Sequence, residues 1–197
     1  MTASLVSSLA LYAFITSITP GPNNLMLASS GLTFGFQRTV PHMLGIAFGC
    51  VTLIAACGLG LGALFEALPW LQAGLRIAGA GYLLFLAWKL WRAGEMKEIE
   101  GADPVGFWGA AAFQYVNPKA LVMAITAVSA FAPQGEDYAR NLAIVGIVFA
   151  AVNLPCIAIW ALFGAGMRTV LRNQNALTWF NRVMAILTAL TAILIVR

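Results

Sequence analysis

Apolar positions dominate the chain in six long runs, at about 4–29, 39–65, 70–91, 107–131, 139–166 and 175–196. Each is close to the roughly 20 residues that an α-helix needs to cross a hydrocarbon core about 30 Å thick. The long polar interruption runs from Arg92 to Asp103 and holds Glu95, Lys97, Glu98, Glu100 and Asp103; a shorter one, Pro133-Gln-Gly-Glu-Asp137, follows the fourth run. Nothing alternates polar with apolar at every second position, as the strands of a membrane barrel would. Backbone groups in lipid must be satisfied internally, so the pattern predicts an all-α membrane protein with six transmembrane helices.

The polar interruption divides the chain near its midpoint, with three runs on each side. The expected organisation is one transmembrane domain, 1–197, built from a first three-helix repeat at 1–92, a polar connecting loop at 93–106 and a second repeat at 107–197. An offset of 98 residues places Pro20 on Pro118, Leu44 on Leu142 and Ile46 on Ile144. Three helices per half make the second half enter the membrane upside down, the 3+3 inverted-repeat plan of secondary transporters, here with broken helices 1 and 4. Loops after helices one, three and five would carry Arg38, Lys89, Arg92, Lys97, Arg168, Arg172 and Arg182, against Arg76, Arg140 and Arg197 on the other side. The larger set marks the cytoplasmic face, which leaves both termini outside.

Composition narrows the function classes. The 197 residues are 61% hydrophobic and 9% charged, with a mean hydropathy of +0.87. Soluble domains carry about 25% charged residues, so a cytosolic enzyme and a nucleic-acid-binding module are excluded. The net charge of +4 fits the charge asymmetry of membrane loops. No Lys or Arg precedes Arg38, so the basic start of a secretory signal is missing. Cys50, Cys57 and Cys156 sit within apolar runs and read as small packing residues; a soft-metal site would require them to converge.

Two constellations interrupt the apolar runs with chemistry. Thr19-Pro20-Gly21-Pro22-Asn23-Asn24 lies inside the first run. Its prolines remove backbone donors and clash with the preceding turn, so the helix must break there. Unwound backbone at that depth is tolerated only when buried in protein or lining a cavity. The short side chains of Thr19, Asn23 and Asn24 either satisfy the break or bind a polar guest. Gln114-Tyr115-Val116-Asn117-Pro118-Lys119 does the same in the fourth run. Lys119 sits about 12 residues, roughly 18 Å, into that run, where an ammonium requires a partner. It either caps the carbonyls of a broken helix or binds cargo. No Asp or Glu falls deep in a run, so the carboxylate of a small zwitterion suits the lysine as counter-ion. Half-helix N-termini at the two breaks would help to hold that carboxylate, and the cargo ammonium would rest on freed carbonyls, Asn23, Asn24 or Asn117.

Lesser signals are Asn153-Leu154-Pro155, a third break within the fifth run at Pro155, and the spacings Gly31-x-x-x-Gly35, Gly45-x-x-x-Gly49 and Gly58-x-Gly60-x-Gly62, which read as close helix packing. His42, the single histidine, reads as a helix-end polar residue rather than a proton relay, and Arg76 and Tyr82 as interface residues. No metal-protease, nucleophile-elbow or paired-carboxylate motif is present. Lys119 and Ser129 stand ten residues apart, about 15 Å by helical rise, too far for a dyad. The chain is therefore read as no enzyme, with no cofactor and no metal.

Thr19-Pro-Gly-Pro-Asn-Asn24 and Asn117-Pro-Lys-Ala120 resemble the two signatures of the LysE/RhtB family of bacterial amino-acid exporters. Leu44-Gly-Ile-Ala-Phe-Gly49 and Gly81-Tyr-Leu-Leu-Phe-Leu-Ala-Trp-Lys89 resemble the patterns of its second and third helices. Ala87 stands where that family often has glycine. Gly21-Pro22-Asn23, with no acid in the second span, is more similar to the homoserine, threonine and neutral-amino-acid side than to the basic-amino-acid branch. The resemblance implies an inner-membrane secondary transporter that exports small neutral amino acids by alternating access, with protons as coupling ion. Thr19, Asn23, Asn24, Gln114, Asn117 and Lys119 would bind the cargo, and Pro20, Gly21, Pro22, Pro118 and Pro155 would shape the breaks. Partners are then the amino acid, protons and membrane lipid; the glycine faces permit a homodimer without demanding one. The rival is a metal or cation exporter of the wider superfamily.

Overall fold

The computed structural model describes residues 1–93, 104–170 and 174–196, and is helical with no strand among them. Most of the predicted connecting loop, residues 94–103, lies outside the described residues. In order, the chain forms α1 (Ala3–Ile18), α2 (Pro22–Phe34), α3 (Phe36–Ala56), a π-helical turn (Cys57–Leu61), α4 (Gly62–Ala67), α5 (Pro69–Ala93), α6 (Phe107–Phe113), α7 (Pro118–Phe131), α8 (Tyr138–Val170) and α9 (Gln174–Val196). Phe36–Leu61 and Tyr138–Met167 are each long and apolar enough to cross a membrane, and α1 with α2, bent by 57°, makes up to a third such span.

The breaks follow from the proline and glycine positions. Thr19 and Gly21 are extended, and Pro22 starts α2, because proline needs no N–H in a first helical turn. Pro118 starts α7 in the same way after Asn117. Pro22 and Pro118 thus occupy equivalent first positions of their helices, whereas Pro20 lies within the unwound segment. A correction concerns Pro155. α8 runs unbroken from Tyr138 to Val170, and Pro155 turns to the exposed face of the helix. The second run, in contrast, is interrupted where none was expected. α3 gives way to the π turn, in which Gly60 takes φ +114°, a left-handed conformation that side-chain-bearing residues avoid. The carbonyl of Gly58 accepts a hydrogen bond from Tyr138 Oη at 2.7 Å.

Apolar residues cover the outside as well as the inside of the bundle. Leu11 and Phe14 on α1, Phe48 on α3, Ile147 and Phe163 on α8 and Ile186 and Leu190 on α9 are exposed, as a lipid-facing surface requires. The interior joins α1, α2, α3, α7 and α8 around Leu9, Leu27, Ile46, Leu53, Phe149 and Ile157. Small residues allow the close crossings: a Cβ on Gly31 would strike the Ala161 carbonyl and one on Gly164 the Ala28 carbonyl, while Gly45 and Gly49 face the backbone of Phe107 and Ala111 on α6. Tyr82, half-buried, lies tilted against Phe113 with ring centroids 5.0 Å apart, beside the cluster of Met26, Leu83 and Leu86. The expectation for His42 is corrected: it is 1% exposed inside the bundle.

Candidate functional site

The unwound segment after α1 would leave carbonyls bare in an apolar medium, and side chains from three helices, α2, α7 and α8, reach them. Asn24 Nδ2 donates to Ser17 O and to Thr19 O, both at 2.8 Å. Trp160 Nε1 of α8 donates to Ile18 O at 3.0 Å. Lys119 Nζ of α7 donates to Thr19 O at 2.9 Å, Thr19 Oγ1 at 3.0 Å and Pro20 O at 3.2 Å. Of the two roles open to Lys119 from the sequence, the geometry therefore shows the capping one. The ammonium, 100 residues along the chain from Thr19, ties the second half to the first. Its stem lies over Gly21, where a Cβ would come within 2.9 Å of Lys119 Cδ.

The second break is held by amides. Gln114, fully buried, exchanges hydrogen bonds with Asn23: Asn23 Nδ2 donates to Gln114 Oε1 at 2.8 Å, and Gln114 Nε2 donates to Asn23 Oδ1 at 3.2 Å. Gln114 Nε2 also donates to Ala110 O at 2.8 Å, and the Cys50 thiol approaches Gln114 Oε1 at 3.8 Å. Asn117, 2% exposed, caps α7 by accepting from Lys119 N at 3.2 Å.

Between the two breaks lies a cavity of about 20 Å³, walled by Ser17, Asn23, Asn24, Cys50, Asn117, Lys119 and Asn153 among others. A water needs about 10–15 Å³ measured this way, so the space has room for about one water and is too small for an amino acid. α2 and α7 both begin on it, with Gly21, Pro22, Asn23 and Asn24 on one side and Asn117, Lys119 and Ala120 on the other. Helix N-termini and an ammonium give the cavity positive potential, and no acidic residue lines it. On the far side of Lys119, an open groove of about 920 Å³ runs between α1, α7 and α9, past Thr16, Thr19, Pro20, Pro118 and Thr191.

Of the sequence-predicted residues, Asn23, Asn24, Asn117 and Lys119 thus meet at the cavity; Thr19 faces the groove and Gln114 braces Asn23 from behind. Pro20, Gly21, Pro22 and Pro118 sit at the helix interruptions, and Pro155 does not. Sequence reasoning missed Ser17, Cys50 and Trp160 as participants and took Asn153 only as part of a kink. A polar residue isolated in an apolar run was the available signal for Asn153. Cys50, Cys57 and Cys156 are free and buried, and no group of three His, Cys, Asp or Glu side chains converges among the described residues, so the donor set needed by a metal exporter is not assembled there.

Residues 14–197 match the family described as LysE type translocator. Similar curated proteins carry the name cysteine/O-acetylserine efflux protein. That of Salmonella typhimurium (strain LT2) is 32% identical over 195 residues, 98% of each chain. That of Escherichia coli (strain K12) is 30% identical over 194 residues, again 98% of each. That of Klebsiella pneumoniae subsp. pneumoniae is 32% identical over 164 residues, 83% of this chain and 84% of its own. No solved structure matches.

Proposed function

The chain belongs to the LysE type translocators, a family of transporters and not of enzymes, and from that premise we propose that it exports small neutral amino acids or related metabolites across the bacterial inner membrane. Cysteine and O-acetylserine, named for its relatives, are the first cargoes to test. The observation that carries this reading is the cavity itself: two helix N-termini and one ammonium converge in the membrane interior with no acid to neutralise them. Such a site favours a carboxylate. A neutral zwitterion supplies one and adds no net charge, whereas a cationic cargo would face Lys119 unpaired.

The cargo site is assigned to Thr19, Asn23, Asn24, Gln114, Asn117 and Lys119. In the closed arrangement Asn23 pairs with Gln114, Lys119 and Asn24 both bond Thr19, and Asn117 caps the Lys119 N–H. The Asn23–Gln114 pair and the Lys119 cap are links between the halves that must part before cargo enters, which fits alternating access. A 3+3 inverted repeat is proposed on a partial correspondence: α1 lies on α8 as α6 lies on α3, although α2 packs on α8 far more extensively than α7 packs on α3. The N-terminal amine donates to Asn141 Oδ1 at 3.4 Å, so α1 and α8 start at the same face, the outer one under the loop-charge reading. Protons are the proposed coupling ion. The described carboxylates, Glu136 and Asp137, are exposed in a loop, and Lys119, His42 or water is the proposed carrier.

The test is uptake into everted vesicles. A panel of labelled neutral amino acids is offered with and without an imposed pH gradient. Saturable, gradient-dependent uptake of cysteine or O-acetylserine, absent from vesicles lacking the protein, is expected. Uptake that is non-saturable and indifferent to competitors would overturn the transporter reading in favour of a passive pore.

A further inference from the structure

A zwitterion brings an ammonium as well as a carboxylate, and of the acceptors expected for it from the sequence all but Asn24 Oδ1 already receive a donor. Ser17 O, Ile18 O, Thr19 O and Pro20 O each receive a side-chain donor. Asn23 Oδ1 accepts from Gln114, and Asn117 Oδ1 accepts from the backbone of α7. Asn153 differs from these residues. It lies on α8, is 3% exposed and lines the cavity. Its Nδ2 donates to Ser17 Oγ of α1 at 3.0 Å, while its Oδ1 has no partner. Among the residues that wall the cavity, it carries the buried side-chain polar atom left unpaired. An orphaned amide oxygen in a low-dielectric interior is unfavourable unless something fills the role of donor in the working cycle.

We propose that Asn153 is a specificity-determining residue of the cargo site: its side-chain oxygen accepts the cargo's ammonium, while the carboxylate is held at the α2 and α7 N-termini beside Lys119. Ser17 holds the amide in orientation. The pair also bridges the halves, because Ser17 ends α1 and Asn153 stands mid-way along α8. Cargo bound at both ends would then sense the separation of the two halves.

The inference rests on the amino-acid-export reading, and its test separates the two. Uptake of labelled cysteine into everted vesicles is inhibited with cysteine or with 3-mercaptopropionate, which is cysteine without its ammonium. For the unsubstituted protein the desamino compound is expected to be the weaker inhibitor. In Asn153→Leu the preference for cysteine should collapse by about tenfold or more, the equivalent of about 1.4 kcal/mol. In Asn153→Asp, close to isosteric and a safeguard should the leucine variant fail to insert, the preference should shift by a similar factor in the opposite direction. If both inhibitors weaken in parallel in these variants, with the preference unchanged, Asn153 is only a packing residue and the inference is overturned. If the unsubstituted protein takes up no amino acid, the export reading fails and takes this inference with it.

Discussion

Replacing Lys119 by methionine removes the ammonium while keeping a stem of similar length over Gly21. Three bonds are lost, but they are not equivalent. Thr19 O retains Asn24 Nδ2 at 2.8 Å, and Thr19 Oγ1 retains its own bond to Thr16 O at 3.1 Å. Pro20 O loses its donor. A bare acceptor costs about 1–3 kcal/mol when buried. Pro20 is exposed on the groove, so the lower end, about 1 kcal/mol, applies. For a chain of this size that corresponds to a fall in Tm of about 2–4 °C, measurable on the detergent-purified protein. Transport should suffer more than stability. If the ammonium also receives the cargo carboxylate when the halves part, the KM for cysteine rises at least about tenfold. Arginine retains the charge but not the compact three-point cap, and should fall between the two. Unchanged KM and unchanged pH dependence in Lys119→Met would refute the placement of the site. A Tm loss well beyond 4 °C would show that the cap holds more of the fold than one carbonyl.

Four further outcomes follow from the same geometry. Gly31→Ala and Gly164→Ala each drive a methyl into a backbone carbonyl across the α2–α8 crossing and should cost about 1–3 kcal/mol in thermal unfolding; the control Gly74→Ala, with open space around it, should cost nothing. Gly60→Ala meets no atom within 4 Å but inherits φ +114°, and a loss of about 1–2 kcal/mol from backbone strain alone is expected; an unchanged Tm would argue against the left-handed turn. Cys50, with Cys57 and Cys156 replaced by alanine, should resist maleimide in resting membranes and become labelled when cysteine-analogue cargo drives turnover; labelling at the same rate without cargo would refute the closed state. His42, with neither ring nitrogen hydrogen-bonded, should tolerate His42→Leu with Tm unchanged or raised, since removing an unpaired buried polar group relieves its desolvation; a marked loss of Tm would mean that the imidazole has a partner.

The helical class, the positions of the two principal breaks and the residues around them were legible in the sequence because each is a local consequence. Apolar runs of that length must be helical in lipid, and Pro-Gly-Pro or Asn-Pro cannot continue a helix. Family membership was legible for the same reason: its signatures are those breaks. What the chain could not reveal by itself was which polar groups pair. Pro155 looked like a break, yet α8 absorbs it by turning the ring outward; within Gly58-x-Gly60-x-Gly62, Gly58 packs closely on Leu142 as read, but Gly60 also turns left-handed, and Tyr138, 80 residues away, donates to the Gly58 carbonyl. That Lys119 caps the end of α1 was not legible either; only the approach of α7 to that end shows it. Asn153 drew attention only as part of a proline motif, and only the meeting of α8 with α1 shows that one end of its amide is held and the other is bare. Helix breaking is set by dihedral angles and missing donors within a few residues; hydrogen-bond satisfaction in a membrane interior is set by neighbours that the chain brings from a hundred residues away.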